Sequence, residues 1–214
     1  MGLSRMRVTT ICCLADTHGF HRKLEIPPAD LLIFAGDISN RGELEIIADF
    51  NDWLGELSVP SIVIAGNHDL SLEKLDGHDL ITNGTYLRDE STEIMGLTIY
   101  GSPMAKRIGR WAFGYDPDRA HLIWDNIPHN TDILVTHGPP SSILDTGIYG
   151  EHLGCPELFR RVGKIKPRLH IVGHIHEARG TFYLGKTTIV NCAACNFPDY
   201  GDIRPPIVVG LRRD

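Results

Sequence analysis

The sequence has no apolar run long enough to cross a bilayer, although 42% of its 214 residues are hydrophobic. Its first ten residues lack the successive basic, apolar and small-residue regions of a secretory signal. From these two absences we expect a cytoplasmic protein with no membrane partner. No linker, repeat or low-complexity segment divides the chain, so we expect one domain over residues 1–214.

An excess of positive charge is also missing. The formal net charge is -6 and the pI is near 6.0. This balance leaves little electrostatic basis for non-specific binding to long nucleic acid, because such binding depends on neutralising many phosphates with lysine and arginine. No exposed face carries a pattern that would indicate self-association, so the oligomeric state stays open.

The cysteines lack the pattern of a metal site or a disulfide framework. The five cysteines are an odd number, and Cys192 and Cys195 form a single CxxC. One CxxC without a second pair is weak evidence for zinc, and a redox role would place it beside the start of a helix. A structural role for these two side chains is the favoured interpretation.

Apolar runs alternate with segments of helical periodicity, which is the pattern of α/β folds. The helix over 43–57 is the clearest, with apolar positions that include Ile47, Phe50 and Trp53 on one face. Predicted strands lie at 8–15, 31–35, 62–65, 94–100, 133–136, 169–172, 181–184, 187–191 and 207–211, and predicted helices at 43–57, 118–126 and 156–166. Met95-Gly96 is expected to form a turn within a hairpin.

Five predicted strands end in the residue types that bind metals. The motifs are Asp-Thr-His-Gly at 16–19, Gly-Asp at 36–37, Gly-Asn-His-Asp at 66–69, His-Gly at 137–138 and Gly-His-Ile-His at 173–176. In such sheets ligands bind beyond the carboxyl ends of the strands, and glycine allows the sharp turns that direct side chains into one cavity. Any one of these motifs is more often a turn or a hydrogen-bonded structural element. Together they indicate a site for divalent metals such as Mn, Fe or Zn, since carboxylate, imidazole and amide ligands are present and thiolate is not needed.

These motifs, in this order and spacing, resemble those of the calcineurin-like metallophosphoesterases. Longer stretches, among them FNDWLGELSVPSIVIAGNHD, TDILVTHGPP and KPRLHIVGHIHE, resemble the subgroup called metallophosphoesterase domain-containing proteins, and the similarity spans nearly the whole chain. The resemblance implies two facing mixed β-sheets flanked by helices. We expect the hairpins that follow Ile94 and Thr181 to supply much of the second sheet.

The resemblance also implies a role for each ligand. Asp16, His18 and His176 are expected to hold one metal, Asn67, His137 and His174 the other, and Asp37 both. Some members of the subgroup have glycine at the position of His174, so its presence here implies two complete sites. The expected cofactors are two divalent ions, with manganese as the first candidate and iron or zinc as alternatives.

The charge of such a centre suits an anionic ester. Asp16 and Asp37 cancel two of the four positive charges of two divalent ions, and a bridging hydroxide cancels one more. The expected reaction is attack of this hydroxide on phosphorus. The resemblance favours a phosphodiesterase acting on small or cyclic nucleotides, so the expected partner is a small, nucleotide-like phosphoester. The alternatives are a phosphomonoesterase, including a protein phosphatase, a hydrolase of diphosphate bonds, and a metal-binding scaffold without activity.

Two residues of the third motif are expected to act in catalysis. The resemblance makes His68 the group that protonates or stabilises the leaving oxygen, and Asp69 could orient it. The alternatives are a structural role for His68 and a helix cap for Asp69.

Four residues are candidates for substrate contact. His21 and Arg41 lie close in sequence to metal-ligand motifs. Arg110 and Trp111 belong to a loop at 107–115 that could cover the site, with Trp111 stacked on a base or aryl leaving group, or could simply fill space. For the histidines outside the motifs, including His21 and His170, surface placement is the expected default.

Overall fold

The computed structural model describes residues 8–196 and 201–212. The strands are β1 (Val8–Leu14), β2 (Leu31–Ala35), β3 (Ser61–Ile64), β4 (Thr85–Tyr86), β5 (Glu90–Ile94), β6 (Leu97–Ser102), β7 (Ala105–Lys106), β8 (Gly114–Tyr115), β9 (Ile133–Thr136), β10 (Leu169–Val172), β11 (Gly180–Leu184), β12 (Thr187–Asn191) and β13 (Ile207–Arg212). The helices are α1 (Leu44–Glu56), α2 (Leu70–Lys74), α3 (Gly77–Leu80), α4 (Ala120–Trp124) and α5 (Pro156–Ile165). Short 3-10 turns lie at His21–Lys23, Pro117–Arg119 and His176–Ala178.

Two large mixed sheets form the centre of the fold. The first has the strand order β13-β1-β2-β3-β4, and the second has the order β11-β12-β10-β9-β6-β5. The strands from β1 to β4 are parallel and β13 joins β1 antiparallel. In the second sheet β6, β9, β10 and β12 are parallel, and the antiparallel strands β5 and β11 close its edges.

The two sheets bury alternate residues between them. Ile11, Ile33 and Ile62 of the first sheet share one apolar cluster with Ile133 and Ile171 of the second, and all five are fully buried. This follows from the period of two in a strand, which sends neighbouring side chains to opposite faces. Both faces of these strands are covered, so the runs are apolar throughout and do not alternate with polar residues.

Helices cover the outer faces of both sheets. Phe50 and Trp53 of α1 pack with Phe34 of β2 in a second buried cluster. Trp124 of α4 and Leu158 of α5 pack with other residues on the outer side of the second sheet. The predicted architecture of two facing mixed sheets flanked by helices is therefore confirmed.

The predicted elements differ from the observed ones mainly where the elements are short. The Met95-Gly96 turn is present, and both residues have positive φ, as tight hairpin turns require. The hairpins β5–β6 and β11–β12 do belong to the second sheet. The helix predicted over 118–126 is only the five-residue α4 after a 3-10 turn, and the loop predicted at 107–115 begins after β7 and ends in β8, which pairs with it. No helix of the described ranges combines the length and the apolar character that crossing a bilayer requires.

Candidate metal centre

The carboxyl ends of five parallel strands meet at one cleft between the sheets. These strands are β1, β2 and β3 of the first sheet and β9 and β10 of the second. The segments that follow them carry the seven predicted metal ligands: Asp16, His18, Asp37, Asn67, His137, His174 and His176. A contact across the sheets, 3.3 Å between Nε2 of His137 and Oδ2 of Asp37, shows that these ends converge.

The first group of ligand atoms comes from Asp16, His18 and His176, all of them buried. Their ligand atoms lie within 4.8 Å of one another. His176 Nε2 is 3.5 Å from Asp16 Oδ1 and 3.4 Å from His18 Nε2. Two imidazole nitrogens and a carboxylate oxygen thus face one small volume, as a metal site requires.

The second group comes from Asp37, His137 and His174, again within 4.8 Å. Asn67 joins it, because its Oδ1 is 2.9 Å from His137 Nε2. Asp37 also forms a third group with His18 and His68. Asp37 therefore lies between the two predicted metal positions, where a bridging ligand would be.

The charges within the cleft suit a cation. Burial alone would raise the pKa of the Asp37 carboxyl, but His137, His18 and His68 hold that pKa below its usual range. Burial likewise opposes protonation of His137, yet the Asp37 carboxylate raises its pKa to about 9. Without a metal the imidazole of His137 therefore favours its protonated form beside the Asp37 carboxylate, and a metal ion that binds Nε2 must displace that proton.

His174 has the opposite protonation state. Burial and the nearby charge of His137 lower its pKa to about 4. Its imidazole is therefore neutral at physiological pH and can donate a lone pair without first losing a proton.

Hydrogen bonds from the backbone orient the ligands. His137 Nδ1 donates to the Ala35 carbonyl at 2.9 Å, which directs Nε2 into the cleft. The backbone N–H of His174 lies 3.0 Å from both carboxylate oxygens of Asp16, and that of His68 donates to Asp37 Oδ1 at 2.8 Å. Contacts of this kind fix the tautomer and direction of metal ligands.

Four of the ligand residues have a left-handed backbone. The φ angles of Asp16, His18, Asp37 and His174 are 53°, 45°, 57° and 70°. Such conformations are rare outside glycine and carry a cost of order 1–3 kcal/mol each, so they persist where the surrounding structure imposes them. They let the chain turn sharply after each strand and direct the side chain back toward the cleft.

The glycines of the motifs have two different roles. Gly36 has the expected positive φ, 96°. Gly66 and Gly173 do not, but a Cβ at either position would lie 2.2 Å from a carboxylate oxygen, of Asp37 and of Asp16 respectively. These two glycines provide space for the ligand carboxylates.

The donor set fits a pair of divalent ions. Two carboxylates, four imidazoles and one amide converge in a buried cleft, and their nitrogen and oxygen donors suit manganese, iron or zinc. The close approach of Gly66 and Gly173 to the carboxylates shows that the space is shaped around these ligands.

His68 lies beside the ligands. It is half-buried, and its ring is 4.7 Å from that of His18, edge to face. Its Nδ1 is 2.8 Å from the Asn40 carbonyl oxygen. A carbonyl can only accept, so Nδ1 carries the hydrogen and Nε2 is the ring's other functional atom.

Asp69 does not orient His68 through a hydrogen bond to its ring. The carboxylate accepts hydrogen bonds from the backbone N–H groups of Gly66, Ile38 and Ser39 and from the Ser39 hydroxyl, at 2.8 to 3.2 Å. It precedes α2 but makes no side-chain cap bond to that helix. Asp69 instead ties the loop after β2 to the loop after β3. The hydrogen bond to the His68 ring that was expected of Asp69 is made by the Asn40 carbonyl.

The four substrate-contact candidates separate into two groups. Trp111 stacks on His68, with ring centroids 4.1 Å apart, and the exposed Arg41 lies 5.7 Å from the Trp111 ring. Arg110 is exposed in the same loop. His21 is fully buried, forms a hydrogen bond with Asp49 at 2.9 Å and packs on aromatic residues of α1. The prediction that His21 contacts substrate is therefore wrong.

His170 is also buried, contrary to its expected surface placement. Its Nε2 lies 2.8 Å from the Thr136 hydroxyl, between β9 and β10. The histidines at 78, 121, 129 and 152 are exposed as expected. The five cysteines are buried and free, which agrees with the structural role favoured for Cys192 and Cys195.

Comparison with known proteins gives the same family for most of the chain. Residues 9–178 match the family described as calcineurin-like phosphoesterase. Human metallophosphoesterase domain-containing protein 1 is 37% identical over 95% of this chain and 71% of its own length. A Synechococcus protein named "probable cyclic nucleotide phosphodiesterase" is 31% identical over 77% of this chain and 64% of its own.

The fold also occurs among solved structures. Phosphopantetheinyl hydrolase from Mycobacterium tuberculosis superposes with a TM-score of 0.54 at 17% identity, over 85% of this chain and 88% of that one. A likeness at this identity shows a shared fold and nothing about the substrate.

Proposed function

Because the chain belongs to the calcineurin-like phosphoesterase family, we propose that it is a metal-dependent phosphodiesterase acting on small, nucleotide-like esters. The observation that carries this proposal is the position of Asp37, which shares one ligand group with His18 and another with His137 and His174. A centre that works with two ions needs such a shared ligand, since the ions must lie about 3.5–4 Å apart.

The chain's own residues define the two positions. Asp16, His18 and His176 would hold one ion, Asn67, His137 and His174 the other, and Asp37 both. Bound there, two divalent ions would make a shared water more acidic and neutralise charge on phosphoryl oxygens. Manganese is the first candidate, with iron and zinc as alternatives.

His68 would supply the proton for the leaving oxygen. The bond from Nδ1 to the Asn40 carbonyl survives when the ring is protonated, because Nδ1 carries a hydrogen in both states. Nε2 is then the atom that gains and releases the proton. General acid catalysis of this kind contributes roughly 10²–10⁴-fold to a rate.

One observation supports a diester as the substrate, and another supports a small one. The Synechococcus relative carries the name of a cyclic nucleotide phosphodiesterase. The net charge of -6 disfavours a long nucleic acid chain. A phosphomonoesterase is the alternative, because the ligand groups suit either ester.

Activity is tested by removing the metals and restoring them. The protein is stripped with a chelator, reconstituted separately with manganese, zinc and iron, and assayed on bis-p-nitrophenyl phosphate, p-nitrophenyl phosphate and cyclic nucleotides. We expect the metal to restore diester cleavage with little monoester cleavage. Preference for the monoester would indicate a phosphatase, and two bound ions without cleavage of any of these esters would contradict the proposal in favour of a scaffold.

The roles within the site are tested by two substitutions. His68→Ala should retain bound metal and lose turnover by roughly 10²–10⁴-fold. Asp37→Ala should lose metal and activity together, because it removes the shared ligand. Metal content of the purified variants is measured beside His129→Ala, an exposed histidine as the control. Equal metal loss in His68→Ala and Asp37→Ala would make His68 a ligand and contradict its assigned role.

A further inference from the structure

The ring of Trp111 lies flat against the ring of His68. Their centroids are 4.1 Å apart and their planes differ by 27°. Trp111 is half-buried, and the guanidinium of Arg41 lies 5.7 Å from the indole, within the range of a cation–π contact. The three side chains form a stack, Arg41–Trp111–His68, at the edge of the candidate metal centre.

Backbone hydrogen bonds fix the register of this stack. Ala112 N donates to the Asn67 carbonyl at 2.9 Å, which places residue 111 opposite residue 68. Two further bonds hold the loop: Trp111 N donates to Ile108 O at 3.2 Å, and Phe113 N donates to Glu73 Oε1 at 2.6 Å. The tryptophan is therefore held by its own loop and by the segment that carries His68.

A single turn completes the enclosure of His68. Asn40 supplies the carbonyl that accepts from His68 Nδ1, and Arg41 is the next residue. The Glu43 carboxylate accepts hydrogen bonds from the backbone N–H groups of both, at 3.1 and 2.8 Å. The turn therefore contacts both rings: the Asn40 carbonyl contacts the edge of His68, and the Arg41 side chain contacts the indole.

From this geometry we infer that Trp111, supported by Arg41, is a positioning residue that holds the His68 ring on the Asn40 carbonyl and keeps Nε2 directed for proton transfer. The catalytic part of the inference rests on the proposed function. It is an alternative to the expectation that Trp111 stacks on a substrate base, because one face of the indole covers His68.

The first test observes the ring itself and needs no activity. Histidine-labelled protein loaded with zinc, which is diamagnetic, is studied by NMR. We expect His68 to show the Nδ1–H tautomer and ring-proton shifts displaced by the stacked indole. Trp111→Ala should remove those displacements and produce a mixture of tautomers, and Trp111→Phe should preserve the single tautomer. An unchanged tautomer in Trp111→Ala would overturn the inference.

The second test compares two diesters that differ in the leaving group. Bis-p-nitrophenyl phosphate releases an acidic phenol that needs little protonation, whereas diphenyl phosphate releases phenol, which titrates near pH ~10 as tyrosine does. Trp111→Ala should lower kcat for diphenyl phosphate about 10–100-fold and for the nitrophenyl ester less than about threefold, as expected for a weakened general acid. Trp111→Phe should recover most of the difference, and Arg41→Ala should show a smaller one.

A matched control is a second cation–aromatic pair, which reaches the Trp111 loop through Phe113. Arg88 lies 5.1 Å from the Phe113 ring, the same kind of pair, but neither residue belongs to the stack on His68. Arg88→Ala should leave the ratio of the two rates unchanged. Equal losses on both esters in Trp111→Ala, or a change confined to KM, would make Trp111 a structural or substrate-binding residue and overturn the inference.

The outcomes also separate this inference from the proposed function. If His68→Ala shows no dependence on the leaving group, the acid role of His68 is wrong, and the catalytic part of the inference is overturned with it. If the wild-type protein cleaves neither diester with metal bound, the proposed function fails, and the NMR result alone decides whether Trp111 positions His68. In both cases metal content of the variants is measured, and loss of metal in Trp111→Ala would contradict a positioning role.

Discussion

Replacing Gly66 by alanine would add one methyl group against the residue shared by both proposed metal positions. A Cβ at position 66 would lie 2.2 Å from Asp37 Oδ1, 2.4 Å from the Asp37 backbone nitrogen and 2.6 Å from His137 Cε1. Real Cβ atoms essentially never approach other heavy atoms closer than 3.0 Å. Both ligand residues, or the loop that carries Gly66, must therefore move by close to an ångström.

The contacts of Asp37 resist that movement. Its Oδ1 accepts from His68 N at 2.8 Å, its Oδ2 lies 3.3 Å from His137 Nε2, and the side chain is buried. Overpacking of this kind costs about 1–3 kcal/mol of unfolding free energy. For a chain of this size each kcal/mol corresponds to roughly 2–4 °C in Tm. Disturbing contacts that orient ligands lowers metal affinity about 10–100-fold.

The assay compares Gly66→Ala with Gly163→Ala. Gly163 lies in α5, and its Cβ would meet nothing within 4 Å, so alanine should stabilise the helix by about 0.5–1 kcal/mol without affecting metal. Tm is measured for chelated and manganese-loaded protein, together with metal bound per chain. Gly66→Ala should lower both, and Gly163→Ala should raise only Tm. If Gly66→Ala binds metal with unchanged affinity, the steric argument is refuted.

Two further predictions concern buried side chains outside the ligand set. Asp69→Asn should lower the unfolding free energy by about 1–3 kcal/mol for each backbone donor left unsatisfied. In the wild type both carboxylate oxygens accept from backbone N–H groups, so either orientation of the asparagine amide places its NH₂ group against at least one of these donors. Denaturant unfolding measures this, and an unchanged midpoint would contradict it. Burial lowers the pKa of His170 to about 3, so the unfolded chain, with an ordinary histidine pKa of 6.5, binds the proton first as pH falls. Stability attributable to His170 should therefore decrease by up to about 1.4 kcal/mol per pH unit between pH 6.5 and 3. His170→Gln should lack this pH-dependent loss of stability. If the difference in Tm between the variant and the wild type is the same at pH 7 and pH 5, the loss does not come from His170.

The ligand set could be predicted from the sequence because each ligand follows a recognisable strand. An apolar run predicts a buried strand, and parallel strands bring their carboxyl ends to one edge. Asp16, Asp37, Asn67, His137 and His174 therefore converge once the strands are known. This prediction does not depend on the exact ends of the strands. The carboxyl ends of these five strands differ from the predicted ends by no more than one residue.

Short elements could not be predicted in the same way. The four-residue α3 and the two-residue pair β7 and β8 have too few residues to display a period. Their conformations are imposed by neighbours: Ala105 N, at the start of β7, donates to the carbonyl of Phe113. Without these contacts in view, the region around Trp111 could only be described as a loop.

The sequence alone determined the α/β class, the family and the residue types that line the cleft, because these depend on periodicity and on motifs a few residues long. Only the tertiary structure decided which partner each side chain has. The Asn40 carbonyl accepts a hydrogen bond from His68, Trp111 covers the His68 ring, and His21 is buried against Asp49 of α1. The two residues of each pair are 28 to 43 positions apart in the sequence. Such choices depend on how loops from different strands pack in space, and hydrophobic periodicity carries no information about that.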